Sequence, residues 1–326
     1  MTLAQIKSLN IPVADALGLD DVMKIYAALR PSMPNGKKGA CQEASRLIDI
    51  LDEFDGLVLD AYGVINVGDG PIDGIMDLLE TADRKSKPVI VLTNGSSFSS
   101  ARTCDKYLDW QLPIKCSDVL SSRDALIAQF SGEPKTGLGV RSTIGCFGRN
   151  IEPLTGDNFL SYGLDTNFWE RADELVFLGA VGWEESDQTA FEAAMIDRPR
   201  PLHIANPDVT APQVGGRFSA EPGYWTARMM KAAASRLVEQ DIRWYGKPYA
   251  PAFELALSRM QRRLGYNIDN RRIAMVGDSL HTDILGGSAA GMTTVLITRY
   301  GLFCRKAASS YVEASGIYPD WVVDTL

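Results

Sequence analysis

The chain has 326 residues and is 45% hydrophobic, which is enough for two domains of ordinary size or for one large α/β domain with an insertion. Its 41 acidic and 33 basic residues leave a net charge of -8. The sequence has no block of Lys and Arg that would bind the phosphate backbone of a nucleic acid, so we expect no nucleic-acid partner. No segment approaches the ~18 apolar residues of a spanning helix, and the N-terminus lacks a signal-peptide pattern. We therefore expect no membrane partner and a cytoplasmic protein.

The cysteines lack the spacing of a zinc or redox site. Their number is odd, and no two of them are separated by two residues. We therefore expect reduced thiols, as in a cytoplasm. The cysteines are Cys41, Cys104, Cys116, Cys146 and Cys304.

Short apolar runs alternate with amphipathic stretches along the chain, which is typical of a parallel sheet covered by helices. The stretch LDDVMKIYAALRPSM near the N-terminus predicts a helix, to which the sequence assigns no role. Further along, STIGCFG, ELVFLGAVGW and PLHIANPD are predicted strands separated by helical stretches. The sequence therefore predicts an α/β protein.

Four apolar runs end in residues that can do chemistry. They are LVL before Asp60, VIVL before Thr93 and Asn94, IRWYG before Lys247, and IAMV before Gly277 and Asp278. In an open parallel sheet the ligand site lies outside the carboxyl ends of the strands. We therefore expect the four strands to converge on one pocket.

The acidic residues at these ends suit phosphoryl transfer with a metal ion. A carboxylate such as Asp60 can attack an electrophile directly and form an acyl phosphate. Asp278 and Asp283, both in GDSLHTD, repel each other unless a cation lies between them, and oxygen ligands of this kind suit Mg²⁺. We expect Mg²⁺ as the cofactor, bridging to a phosphoryl oxygen.

The remaining phosphoryl oxygens need donors and positive charge. Thr93 offers its hydroxyl, and the backbone N–H groups of Asn94 and Gly95 are placed to hold them as well. Lys247 would neutralise the remaining charge of the nucleophile and the phosphate together. Positioning and charge stabilisation dominate phosphoryl transfer, so these residue types predict that chemistry.

The order of the motifs, DxxGV, TNGS, GKP and GDxxxTD, resembles the haloacid dehalogenase superfamily. Three longer segments resemble its class IIA phosphatases, which include sugar-phosphate, glycerol-phosphate, nitrophenyl-phosphate and vitamin B6 phosphatases. The segments are DAYGVINVGDGPIDG (60–74), GKPYAPAFELAL (246–257) and VGDSLHTDILGGSAAGM (276–292). The resemblance covers roughly residues 54 to 302, and the long interval between Thr93 and Lys247 is where this class inserts its cap domain.

The resemblance implies a Rossmann-like parallel-sheet core with an inserted α/β cap of the C2 type. The core would comprise residues 1–135 and 242–326, with 1–53 as a helical N-terminal extension, and the cap would comprise residues 136–241, from Thr136 to Asp241. It also implies a phosphatase that hydrolyses a small phosphorylated metabolite through an aspartyl-phosphate intermediate. Caps of this class often contribute to dimers, so the resemblance allows a homodimer.

The resemblance also assigns roles to single residues. It makes Asp60 the nucleophile and gives Thr93 and Lys247 the stabilisation of phosphate and nucleophile. It places Mg²⁺ on Asp60, the backbone carbonyl of Tyr62 and Asp278, with Asp283 close by.

The cap and the phosphate loop contain further candidates. Asn206 and Asp208 belong to an NPD element common in class IIA caps, and the aspartate either meets substrate or caps a helix. Ser96 and Ser97 are expected to cap the helix that follows the phosphate strand.

Tyr62 departs from the family pattern. The phosphatases have an aspartate there, which protonates the leaving oxygen and then activates water, and such help is worth roughly a hundred- to ten-thousand-fold in rate. A phenol stays protonated at neutral pH, so it donates a proton weakly and is a poor base. We expect intact metal and phosphate sites with a weakened chemical step in which Tyr62 still takes part.

Two other functions stay open at this point. DAYG resembles the FDAYGT motif of the 2-haloacid dehalogenases, but those enzymes work without metal and insert a helical cap soon after the nucleophile strand. The second alternative is a non-catalytic sensor of a phosphorylated metabolite. Retention of Asp60 opposes it, because binding needs no nucleophile and an unpaired carboxylate repels phosphate.

Both histidines and one aromatic pair have competing interpretations. His281 is either a substitute acid or base, since imidazole titrates near neutrality, or an exposed loop residue. His203 is predicted to be structural. Tyr224 and Trp225 either pack on a ligand or are buried against the core.

Overall fold

The structure is a computed structural model that describes residues 2–130, 142–213, 217–238, 241–304 and 306–326. Its strands are β1 (Gln42–Arg46), β2 (Gly56–Leu59), β3 (Asn66–Val67), β4 (Gly70–Pro71), β5 (Val89–Thr93), β6 (Val119–Ser121), β7 (Ile144–Gly148), β8 (Phe159–Ser161), β9 (Glu174–Gly179), β10 (Leu202–Ile204), β11 (Thr210–Pro212), β12 (Phe218–Ala220), β13 (Ile242–Trp244), β14 (Ile273–Gly277), β15 (Thr293–Ile297) and β16 (Trp321–Thr325). Its helices are α1 (Thr2–Ser8), α2 (Leu19–Leu29), α3 (Ile75–Arg84), α4 (Ser100–Asp109), α5 (Ser122–Phe130), α6 (Phe168–Arg171), α7 (Glu185–Asp197), α8 (Pro222–Ala232), α9 (Ala250–Leu264), α10 (Leu285–Ala289) and α11 (Ala308–Ser315).

The main sheet has seven parallel strands in the order β1-β16-β15-β14-β2-β5-β6. Strand β2 lies in the interior of this sheet, between β14 and β5, and is buried on both faces, which explains its uninterrupted apolar sequence. Leu59 at its end pairs with Val276 on one side and Val91 on the other. The carboxyl ends of β14, β2 and β5 are therefore neighbours, and the predicted α/β class is confirmed.

A second sheet of five parallel strands, in the order β13-β10-β9-β7-β8, is formed by the chain between β6 and α9. It contains the three strands predicted from STIGCFG, ELVFLGAVGW and PLHIANPD. The antiparallel β11–β12 hairpin follows β10, and the shorter β3–β4 hairpin follows β2.

One of the four strands expected in a common sheet belongs elsewhere. Ile242–Trp244, the run before Lys247, pairs with Leu202–Ile204 at the edge of the second sheet. A short apolar strand has the same pattern whichever sheet it joins, so its sequence does not reveal its partner. The predicted boundary at Asp241 therefore assigned this strand to the wrong sheet, and the predicted start at Thr136 lies outside the described residues.

The N-terminal segment is only partly the helical extension that we predicted. It forms α1 and α2, but Gln42–Arg46 then adds an edge strand to the main sheet, with Gln42 opposite Trp321. The apolar residues of α1 and α2 belong to one buried cluster with residues of the second sheet's helices and of the main sheet. Ile6, Val22 and Ile25 are at most 1% exposed there. The segment is thus part of the core.

The expectation of reduced thiols is wrong for one pair. Cys104 and Cys116 form a disulfide, with Cα atoms 5.4 Å apart, where α4 turns back toward β6. This proximity comes from a reversal of the chain that cysteine spacing does not report. Cys41, Cys146 and Cys304 are free.

Within the described ranges, no helix combines the length and the apolar character needed to cross a membrane.

Candidate active site

Asp60 follows the last residue of β2, and its carboxylate accepts hydrogen bonds through Oδ1. Its backbone N–H donates to the Val276 carbonyl at 2.9 Å, which continues the sheet pairing to the site. The Oδ1 atom of Asp60 accepts from the backbone N–H of Ala61 at 2.7 Å and from Lys247 Nζ at 2.6 Å. No described residue donates to Oδ2, so this oxygen is the one free to attack an electrophile.

Lys247 is the buried cation of the site. Its side chain is 1% exposed, and Nζ lies 2.6 Å from Asp60 Oδ1 and 2.6 Å from Asp283 Oδ1. Burial acts against the charged ammonium, but the carboxylates of Asp283 and Asp60 outweigh it and raise the pKa of Lys247. Lys247 is therefore charged at neutral pH and links Asp60, the nucleophile candidate, to Asp283 in the acidic loop GDSLHTD.

Asn94 fixes the backbone around Lys247. Its Oδ1 accepts from the Lys247 N–H at 2.7 Å, and its Nδ2 donates to the Lys247 carbonyl at 3.0 Å. Asn94 is 2% exposed and sits one residue after β5. This pair of bonds explains how Lys247 reaches the site although the strand before it belongs to the second sheet.

Asp278 follows β14 into a cradle of small residues. Its Oδ2 accepts from the Leu302 N–H at 2.7 Å, and its Oδ1 accepts from Ser279 Oγ at 3.0 Å. A Cβ atom at Gly63 or Gly301 would lie 2.6 Å or 1.8 Å from Asp278 Oδ2, and both glycines have positive φ. Only glycine fits at these two positions.

Asp283 lies in a turn of π-helix over Leu280–Ile284, a type of helix that often occurs at functional sites. Besides Lys247, it accepts a hydrogen bond from the Ser279 N–H at 3.1 Å. Burial raises the pKa of Asp283 to about 7, although Lys247 opposes the shift. Burial, followed by the charges of Asp283 and Asp60, raises the pKa of Asp278. Three carboxylates are thus packed together against a single lysine.

This donor set fits a Mg²⁺ ion. One oxygen from each of Asp60, Asp278 and Asp283 lies within 4.8 Å of the others. Burial raises the pKa values of Asp278 and Asp283, and repulsion from the neighbouring carboxylates adds to the shift. A divalent cation would relieve that repulsion. The Tyr62 carbonyl follows Asp60 by two residues, and its part in the ligand set stays a prediction.

The phosphate candidates on β5 occupy the same edge of the sheet. The Gly95 N–H donates to Thr93 Oγ1 at 3.1 Å, so the hydroxyl and this amide are paired with each other. Ser96 and Ser97 do not cap the next helix as we predicted, since the N-cap of α4 is Ser99. Ser96 Oγ instead donates to the Leu178 carbonyl at the end of β9, and this bond links the two sheets.

The two NPD candidates take different places. Asp208 enters the site, where its Oδ1 accepts from Asn94 Nδ2 at 2.7 Å, and burial raises its pKa. Asn206 instead shapes its own loop, because its Oδ1 accepts from the Asp208 N–H at 2.9 Å and its Nδ2 donates to Glu221. Asp208 therefore contacts the centre and caps no helix.

Tyr62 is turned toward the β3–β4 hairpin. Its hydroxyl accepts from the Gly68 N–H at 2.8 Å. Lys106, which the sequence analysis missed, reaches the same hairpin from α4, with Nζ donating to Asn66 Oδ1 at 3.1 Å. Burial lowers the pKa of Lys106 and the charge of Asp60 opposes that shift, so the ammonium lies within electrostatic reach of Asp60. A lysine in an amphipathic helix looks like a surface residue, and no sequence signal marked it.

Both histidines and the aromatic pair Tyr224 and Trp225 are buried. His281 is 3% exposed, not a loop residue in solvent, and burial lowers its pKa to about 3, so it is a neutral imidazole and a poor acid. His203 lies between Tyr245 OH at 2.7 Å and Glu174 Oε2 at 2.8 Å in the second sheet. Tyr224 and Trp225 belong to the core on α8.

Tyr26 is a second residue that the sequence analysis missed. It comes from α2 and stacks on His281, with ring centroids 4.8 Å apart and planes inclined by 4°. Nothing in the apolar periodicity of α2 distinguishes it from the other buried residues of that helix.

The fold and the site define an α/β enzyme with an Asp–Lys–Asp centre at the carboxyl edge of its main sheet. Two family models match the chain, "Haloacid dehalogenase-like hydrolase" over residues 57–148 and "HAD-hydrolase-like" over residues 244–326. These ranges contain the strands that deliver Asp60, Thr93 and Asp278, as well as Lys247. The chain belongs to the haloacid dehalogenase superfamily of hydrolases.

Curated relatives and solved structures are similar to this chain. The acid sugar phosphatase of Staphylococcus haemolyticus is 22% identical over 248 residues, which is 75% of this chain and 85% of that protein. A possible sugar phosphatase from Cytophaga hutchinsonii has a TM-score of 0.70 at 23% identity, covering 87% of this chain and 98% of that one. A 4-nitrophenylphosphatase from Thermotoga maritima has a TM-score of 0.62 at 20% identity, covering 84% and 95%. At these identities the solved structures establish the fold alone.

Proposed function

We propose that this protein is a Mg²⁺-dependent phosphatase of the class IIA type, acting on a small phosphorylated metabolite. The observation that carries the proposal is the bond from Lys247 Nζ to Asp60 Oδ1, which leaves Oδ2 open beside the Asp278 and Asp283 carboxylates. A lysine that neutralises a carboxylate without covering both oxygens suits a nucleophile in phosphoryl transfer.

In the proposed reaction, Asp60 Oδ2 attacks phosphorus and the bond from phosphorus to the leaving oxygen breaks. The leaving oxygen takes a proton, and water then attacks the aspartyl phosphate to release phosphate and restore Asp60. Lys247 holds Asp60 in place and offsets the charge that accumulates on the two reacting groups. Thr93 and the amide of Asn94 would hold phosphoryl oxygens at the end of β5.

Mg²⁺, held by Asp60 and Asp278 with Asp283 beside them, would supply positive charge to the phosphate and offset the repulsion between the carboxylates. We assign Asp283 two roles. It would lie beside the metal ion, and its Oδ1 accepts a hydrogen bond from Lys247. Tyr62 would contribute its backbone carbonyl and a weak proton donor, so the acid-base assistance is smaller than an aspartate would supply.

We propose that the second sheet, from β7 to β13, is the cap. Asp208 supports this proposal, because it extends from the second sheet to Asn94 in the catalytic centre. The names of the sugar phosphatase relatives support a phosphorylated sugar as the substrate class.

The test is phosphate release from a panel of sugar, polyol, nucleotide and cofactor phosphates and from nitrophenyl phosphate. Each substrate is measured with Mg²⁺ and with EDTA, and Asp60→Asn is the blank. Release that requires the metal and is lost in the variant supports the proposal. Wild-type turnover in Asp60→Asn would refute the mechanism, and silence with Mg²⁺-dependent phosphate binding would favour the sensor alternative.

A further inference from the structure

Tyr26 joins two loops that come from different parts of the fold. Its ring stacks on His281, which lies between Asp278 and Asp283 in the acidic loop of the main sheet. Its hydroxyl accepts a hydrogen bond at 3.1 Å from the backbone N–H of Val209, the residue after Asp208 in the second sheet's loop. One side chain from the N-terminal segment therefore contacts both sides of the candidate active site.

The surroundings of Tyr26 are closed to solvent. Tyr26 is 2% exposed and Val209 is fully buried. Burial and the nearby charge of Asp208 raise the pKa of the phenol, so its hydroxyl is protonated and neutral. A buried amide without an acceptor is costly, and this hydroxyl is the acceptor that Val209 has.

The rest of the N-terminal segment is attached to the second sheet's helix α8 in the same way. Tyr224 OH donates to the Pro12 carbonyl at 2.6 Å, and Lys231 Nζ donates to the Leu9 carbonyl at 2.7 Å. Helix α1 packs directly against α8. The N-terminal segment thus contacts helix α8 of the second sheet, while Tyr26 contacts the loop that contains Asp208.

We propose that Tyr26 is a positioning residue that holds the 206–209 loop against the catalytic centre by tying it to the His281 turn. By holding this loop, Tyr26 would also position Asp208. Asp208 accepts a hydrogen bond from Asn94, and Asn94 in turn accepts one from the backbone N–H of Lys247. The effect on turnover rests on the proposed function, whereas the effect on the loop does not.

Tyr26→Phe is the direct test, because it removes the hydroxyl and keeps the ring that stacks on His281. The matched control is Tyr311→Phe. It removes a hydroxyl on α11 that donates a hydrogen bond at 3.1 Å to Asp20, which lies on the same helix as Tyr26. Hydrogen exchange is measured by mass spectrometry on the peptides that contain residues 206–211. We expect exchange of the Val209 amide to rise about tenfold in Tyr26→Phe and to stay unchanged in the control, as the loss of a buried acceptor requires.

Exchange decides the structural claim even if the wild-type protein releases no phosphate. Equal exchange in wild type and Tyr26→Phe, or equal increases in both variants, would overturn the proposal. A general loss of folding would appear as faster exchange throughout the main sheet, and that outcome also counts against a positioning role.

The second readout separates positioning from general stability. We expect kcat/KM of Tyr26→Phe to fall about tenfold while half-saturation by Mg²⁺ is unchanged, because the carboxylates that would hold the metal lie on the main sheet. In an Asp208→Asn background, Tyr26→Phe should have no further effect, since both changes act on the same loop. Additive losses in the double variant would contradict action through Asp208.

Discussion

The hydroxyl of Tyr62 accepts a hydrogen bond from the backbone N–H of Gly68 at 2.8 Å. This bond attaches the phenol to the β3–β4 hairpin that follows β2, but it uses only a lone pair and leaves the phenolic proton to be donated. The bond therefore shows what holds the phenol at a position where the family resemblance predicts an aspartate. It does not make the phenol a base.

We predict that Tyr62→Asp raises turnover, and that the gain is larger for substrates with poor leaving groups. A carboxyl group can protonate an alkoxide and then activate water, and this assistance is worth roughly a hundred- to ten-thousand-fold in rate. Nitrophenyl phosphate needs less help because its leaving group is already stable. The measurement compares kcat for a sugar phosphate and for nitrophenyl phosphate in both proteins, and equal gains would show that the missing acid is not the limitation.

Replacement of Lys247 by Met should destabilise the protein by about 3–5 kcal/mol, because it leaves buried carboxylates without their cation. Urea unfolding measures the free energy. The double variant Lys247→Met/Asp283→Asn should recover part of the loss, since it removes one of the unpaired charges. Equal stability of the single and double variants would show that the ion pair with Asp283 does not stabilise the fold.

The raised pKa values of Asp278 and Asp283 predict a pH dependence of the metal-free protein. A carboxyl group whose pKa is higher in the folded state contributes stability that is present below its unfolded pKa and is lost as the pH rises through its folded pKa, here about 7 for Asp283. In EDTA, the free energy of unfolding should fall by roughly 1–4 kcal/mol between pH 4 and pH 8.

Mg²⁺ should reverse this loss, because it binds the ionised carboxylates. We expect the increase in Tm on adding Mg²⁺ to be larger at pH 8 than at pH 5. Asp283→Asn provides the control, since it removes one titrating group and should flatten the dependence. A Tm increase that is the same at both pH values would contradict the assignment of these carboxylates to the metal.

The disulfide between Cys104 and Cys116 should be detectable by counting thiols. Denatured, unreduced protein should react with three equivalents of a thiol reagent, from Cys41, Cys146 and Cys304, and reduced protein with five. Reduction should lower the free energy of unfolding by about 2–3 kcal/mol, because the bond closes a short loop. Cys104→Ser should have the lower free energy of unfolding of the reduced protein, and five reactive thiols in the unreduced wild-type protein would contradict the bond.

The sequence by itself determined the α/β class and the order in which Asp60, Thr93, Lys247 and Asp278 follow their apolar runs. These features are local, because a buried strand and the polar residue that ends it are adjacent in the chain. The same locality explains why the family resemblance could be read from short motifs.

Only the tertiary structure decided which elements pair with one another. It placed the strand before Lys247 in the second sheet, brought Cys104 to Cys116, and inserted Tyr26 between His281 and the Val209 loop. The physical reason is that apolar faces are alike in sequence, and the choice among possible partners depends on shape and on buried hydrogen bonds formed between distant segments. A residue such as Tyr26 therefore looks like any other member of an amphipathic helix until its neighbours are known.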